Sequence, residues 1–150
     1  MKAAPERNLA EESALMERPF SLSPRAPVTP TLIGLNVAIL LGLWAEGGAI
    51  AEDAPVERLI AWGGNFGPLT LSGEWWRLLA CAFLHSSLAH FASNMIGLWF
   101  GGNLLERRVG SPAFLGIYIA SAVLGSLASL FARPDIVGHG ASAAVLGVYG

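Results

Sequence analysis

Residues 112–132, PAFLGIYIASAVLGSLASLFA, contain no charged side chain. A helix of that length runs about 30 Å, which matches the hydrocarbon core of a bilayer. Ser111-Pro112 opens the stretch and Arg133-Pro134-Asp135 closes it. Within it, Gly116, Ala120, Ser121, Gly125 and Ser129 offer a small-residue face on which another helix can pack closely. This segment reads as a membrane span, and the rest of the chain is ordered around it.

Toward the N-terminus the same grade of sequence recurs twice. Residues 85–105 form a second apolar stretch interrupted by His85, Ser86, Ser87, His90, Ser93, Asn94 and Asn103, with the helix proper starting near Leu88. Gly101 and Gly102 allow close helix approach near its end, and Glu106, Arg107 and Arg108 close it. Residues 28–45 form the first stretch, with Pro30 in a position suited to a first helical turn. Trp44 sits at its far end, where an indole favours the membrane interface. Toward the C-terminus a fourth span begins at residues 141–150 and is cut off at Gly150. The expected fold class is therefore all-α: a multi-pass transmembrane helical bundle, truncated in its fourth helix.

Composition supports that class. Only 13% of the residues are charged, against roughly 25% in a typical soluble domain. The net charge of −2 leaves no basic surface for nucleic acid. Cys81 is the single cysteine, so no intrachain disulfide can form, and it reads as a small core hydrophobe. Residues 1–27 are polar, mixed in charge and punctuated by Pro5, Pro19, Pro24 and Pro27, which predicts a flexible tail. Residues 46–77 are acidic and rich in glycine and tryptophan. They predict a long outer loop lying in the interface, with a short amphipathic helix over 54–62.

Basic residues set the expected orientation. Lys2, Arg7, Arg18, Arg25, Arg107 and Arg108 fall on one side, and Arg58, Arg77 and Arg133 on the other. The positive-inside bias puts the N-terminus in the cytoplasm of a cell membrane protein. The first loop and the turn before Ser142 are then outside. His90 and Asn94 are four residues apart and share a helical face. Facing lipid they would cost several kcal/mol, so they are expected to face the bundle interior or a wet cavity. The topology brings them to the depth of Ser142. Free backbone N–H groups at a helix start, an amide and an imidazole can together hold an oxyanion; His90 suits either that role or that of base for the serine, and spacing does not decide between them. Taken alone, Ser142 also reads as an N-cap residue, and His90 and Asn94 as interhelical glue. No carboxylate or thiolate stands at metal-ligand spacing beside the three histidines, so no metal is implied.

Several motifs in order decide between these readings: Trp76-Arg77, His85-x4-His90-x3-Asn94, Gly102-x3-Glu106-x3-Gly110 and Gly140-Ala141-Ser142. Together with Asn65-Phe66-Gly67-Pro68-Leu69-Thr70 they resemble the rhomboid intramembrane serine proteases of bacterial type. The resemblance covers the chain from about Asn36 onward. It implies a serine endopeptidase that cleaves transmembrane protein substrates near the outer boundary of the bacterial inner membrane, without metal or cofactor. It implies Ser142 as nucleophile, with His90, Asn94 and the Ser142 N–H as the oxyanion hole. His85 would support the core, and Arg77 and Glu106 would anchor the outer loop and the inner turn. The family's catalytic histidine lies on a later helix, so the 150-residue chain is expected to be inactive alone. Ala143 and Leu146 depart from the family pattern, and His139, three residues before Ser142, is a further candidate base. The alternative is a catalytically dead rhomboid-like protein that binds transmembrane clients.

Overall fold

The computed structural model describes residue 23 and residues 25–46 and 53–150. The expected tail thus lies almost wholly outside the described residues. Among these the architecture is all-helical, with one isolated antiparallel bridge, between Asn65 and Gly138. The first helix, α1, spans Val28–Ala45. Pro27 precedes it and no side chain of its own caps it. Its leading N–H groups donate instead to a remote carboxylate: Val28 N to Glu106 Oε1 and Thr29 N to Glu106 Oε2, both at 2.8 Å.

The loop between α1 and the next long helix is folded rather than open. It holds α2 (Val56–Ala61), a single turn α3 (Gly67–Thr70) and α4 (Arg77–Ala80), which runs into a 3₁₀ turn at Cys81–Phe83. The second long helical path is α5 (Leu88–Gly97), a π-helical turn (Leu98–Gly102) and α6 (Asn103–Val109). Then come α7 (Ser111–Ala132) and α8 (Ser142–Tyr149). Two of these, α1 and α7, are long and apolar enough to cross a membrane.

These helices are apolar on their outer faces as well as on their inner ones. In α7 the inward stripe is Phe114, Tyr118, Ala122, Ser126 and Leu130, at a strict spacing of four. Its opposite side exposes Leu124 and Phe131, at 65% and 82%. In α1 the buried stripe includes Thr29 and Asn36, while Leu35 and Leu41 face outward. Ile96, Trp99, Phe100 and Leu104 do the same on the second path. Water would penalise such a continuous apolar exterior, whereas lipid favours it.

The core lies where α1, the second path, α7 and α8 meet, around Leu98, Phe114, Tyr118 and Ala144. Small residues set the approach. A Cβ on Gly101 would lie 2.7 Å from the Tyr149 ring, and one on Gly97 would lie 2.9 Å from Val145 Cγ1. Between α7 and α8, a Cβ on Gly125 would collide with the Ala143 side chain, and one on Gly147 with Ser121. Gly125→Leu is therefore expected to force the two helices apart. The cost should be about 1–3 kcal/mol, the usual penalty of overpacking, read as a lower unfolding midpoint in detergent.

Candidate active site

Ser142 begins α8, and the four residues before it are tied down from three directions. Gly138 pairs with Asn65 through two backbone hydrogen bonds of 2.9 Å. The Gly140 N–H donates to the Cys81 carbonyl at 2.9 Å. The Ala141 N–H donates to His85 Nε2 at 3.4 Å. Gly140 has φ +102°, a region that favours glycine, and the His90 ring packs where a Cβ would stand, 2.5 Å from Cε1. Any side chain here would displace His90.

The second path supplies the facing groups. Ser87 precedes α5 in extended conformation, and its hydroxyl accepts from the His90 N–H at 3.3 Å, which starts the helix. One turn on, the buried Asn94 side chain donates from Nδ2 to His85 Nε2 at 3.1 Å. Both partners of His85 Nε2 are N–H groups, so that nitrogen accepts and carries no proton. His85 is thus neutral, with its proton on Nδ1. Its ring meets His90 edge-on at 5.2 Å between centroids, and His90 meets His139 at 5.5 Å. Burial, and then the neighbouring His90, lower the His139 pKa, against an opposing pull from Asp53.

A small cavity of about 140 Å³ opens beside Ser142, with Asn65, Cys81, Ser126 and His139 among its walls. Cys81 Sγ and Ser126 Oγ lie 3.1 Å apart at its edge. The Ser142 residue is exposed, and among the described residues its hydroxyl makes no hydrogen bond.

The structure therefore brings His85, His90 and Asn94 together beside the turn that leads into Ser142. Arg77 and Glu106 lie apart from this group. Arg77 is buried under the outer loop, with Nη1 donating to the Ile60 carbonyl at 2.6 Å and the Gly64 carbonyl at 3.1 Å. Its Nε donates to Glu74 at 2.8 Å, and its guanidinium lies over the Trp76 ring. Glu106 sits at the other end of the fold, taking Val28, Thr29 and Ser111 as donors. Sequence reasoning missed Asn65 as an individual residue. Its signal was an asparagine between Gly64 and Phe66 in the apolar run from Ala61 to Leu69, and its Ser126 and Gly138 partners are remote.

Residues 72–150 match the rhomboid domain. The chain belongs to the rhomboid family. GluP, a rhomboid protease of Bacillus subtilis, is 36% identical over 140 residues, which is 93% of this chain and 27% of that protein. YdcA, a putative rhomboid protease of the same organism, is 32% identical over 83% of this chain and 60% of its own length. The rhomboid protease AarA of Providencia stuartii is 31% identical over 90% of this chain and 55% of its own. The chain thus spans between about a quarter and three-fifths of these relatives. Rhomboid membership and the apolar exterior of α1 and α7 together make this a membrane protein.

Proposed function

We propose that this rhomboid is the catalytic part of an intramembrane serine endopeptidase that cleaves transmembrane protein substrates near the outer boundary of the cell membrane. One observation carries the reading. His85 receives hydrogen bonds both from Asn94 and from the Ala141 N–H, so the polar face of the second path and the turn into Ser142 are held at one depth. The bundle is multi-pass, its N-terminus is cytoplasmic, and water reaches the site from outside.

Ser142 Oγ attacks the scissile carbonyl carbon while a base takes its proton. The C–N bond then breaks, the proton passes to the leaving amine, and the acyl-enzyme is hydrolysed by water. His90, the Asn94 amide and the Ser142 N–H stabilise the oxyanion of each tetrahedral intermediate. His85 holds the Asn94 amide in register. Among the described residues no group hydrogen-bonds the Ser142 hydroxyl, and none of them is assigned as its base.

The test is cleavage of a tagged transmembrane substrate by the full-length gene product in liposomes, with fluorophosphonate labelling mapped by mass spectrometry. Labelling at Ser142 with turnover supports the proposal. Binding of the substrate without cleavage or labelling favours a dead, client-binding rhomboid. His90→Ala and Asn94→Ala should each lower kcat by about 10²–10³-fold, the usual loss of one oxyanion donor. Unchanged kcat in both would remove them from the oxyanion hole.

A further inference from the structure

We propose that Asn65 is the positioning residue that locks the turn at 138–141, and so the Ser142 hydroxyl, in place; this deepens the serine-protease reading and rests on it. Asn65 lies before the residues that match the rhomboid domain. Because α8 starts at Ser142 without a side-chain cap, its starting point is set by the residues just ahead of it. Of the three tethers on that turn, those at Gly140 and Ala141 are single hydrogen bonds. Asn65 makes the double one, giving its N–H to the Gly138 carbonyl and taking the Gly138 N–H on its own carbonyl.

The side chain of Asn65 immobilises the clamp itself. Nδ2 donates to the Ser126 carbonyl of α7 at 2.8 Å, and Oδ1 accepts from the Thr70 hydroxyl of α3 at 2.9 Å. The residue is only 2% exposed, so both bonds are buried and losing either leaves a polar partner unsatisfied. One buried residue therefore joins α3 and α7 through its side chain and the turn into α8 through its backbone. It also lines the cavity on which Ser142 opens. A displacement of the turn would move the nucleophile relative to His90 and Asn94, and misplacement by about 1 Å can cost on the order of 10²-fold in rate.

The chemistry of the amide makes the test sharp. Asn65→Asp keeps the shape but sets a carboxylate oxygen against the Ser126 carbonyl, where a donor is needed. In the full-length protein, Asn65→Asp and Asn65→Ala should slow fluorophosphonate labelling of Ser142 and kcat by about 10–100-fold. KM should stay within about threefold, at a temperature where melting curves show the variants folded. A covalent clamp should rescue them. An ideal Cβ at Gly138 lies 3.6 Å from the Asn65 Cβ, inside the roughly 3.5–4.5 Å range of a disulfide.

In a Cys81→Ala background, against which each variant is compared, the oxidised pair Asn65→Cys/Gly138→Cys should recover most of the lost rate. The reduced pair should behave like Asn65→Ala. Equal rates for the oxidised and reduced pair, or losses that follow melting temperature alone, would overturn the assignment. Amide hydrogen exchange over residues 138–145 tests the clamp without reference to catalysis. Exchange in Asn65→Asp should rise there, and unchanged exchange would sink the proposal. If the parent protein fails to label at Ser142 while exchange rises in Asn65→Asp, the clamp stands and the protease reading falls.

Discussion

Ser142→Ala in the full-length protein is expected to reduce cleavage of a transmembrane substrate to background, a loss of at least about 10⁴-fold in kcat. Removing the hydroxyl leaves the oxyanion donors and the substrate site, but no atom that can form the acyl-enzyme. KM for a bound substrate should change little, because Ser142 is exposed and makes no hydrogen bond that its loss would break among the described residues. Fluorophosphonate labelling should vanish in parallel. Labelling that persists at another serine, with turnover intact, would overturn the assignment of the nucleophile. His139→Ala separates the remaining possibility. His139 lines the Ser142 cavity without a hydrogen bond to the hydroxyl. Its replacement should leave kcat within about tenfold, whereas loss of a general base costs about 10²–10⁴-fold.

The second large effect is on stability. Glu106→Ala should destabilise the fold by about 3–5 kcal/mol, read as a fall in unfolding midpoint in detergent. Glu106 is fully buried and accepts four hydrogen bonds: from the N–H groups of Val28 and Thr29, and from the Thr29 and Ser111 hydroxyls at 2.7 Å. Alanine leaves the half-buried Val28 N–H and the buried Thr29 N–H of α1 without their acceptor. Glutamine is no remedy, because its NH₂ group would face the Val28 N–H at one end or the Thr29 N–H at the other. Glu106→Gln should therefore fall close to Glu106→Ala and far from the parent.

The same carboxylate predicts a pH dependence. Burial raises the Glu106 pKa, but the hydrogen bonds from Ser111, Val28 and Thr29 outweigh this and hold it below the ordinary glutamate value. A depressed folded-state pKa means stability that is fully present above the unfolded pKa and lost as pH falls through the folded one. The parent should thus hold its midpoint down to about pH 5 and lose it below. Glu106→Gln should be flatter across that window; an identical acid slope in both proteins would remove Glu106 as its source.

Sequence and structure divide the outer loop unevenly. A short helix at 54–62 was legible from Val56, Leu59 and Ile60 on one side, and the structure forms α2 at Val56–Ala61. The interior of the same loop was not legible. Asn65, Thr70 and Arg77 are polar residues that a local reading sends to the surface, yet all three are buried. Each is satisfied by a partner that pattern alone does not select: the Ser126 carbonyl for Asn65, and the Ile60 and Gly64 carbonyls for Arg77. Period and propensity describe neighbours along the chain, whereas burial of a polar group depends on which remote atoms arrive to pair with it.

By itself, the sequence determined the helical class, the apolar grade of residues 28–45 and 112–132, and the shared face of His90 and Asn94. These follow from length, charge and helical period, all properties of the chain read locally. Only the tertiary structure decided that His85 joins Asn94 to Ala141, 56 residues further on, and that Asn65 grips Gly138. Hydrogen bonds reach about 3 Å, so such pairings exist only once the helices have crossed and fixed where each backbone lies.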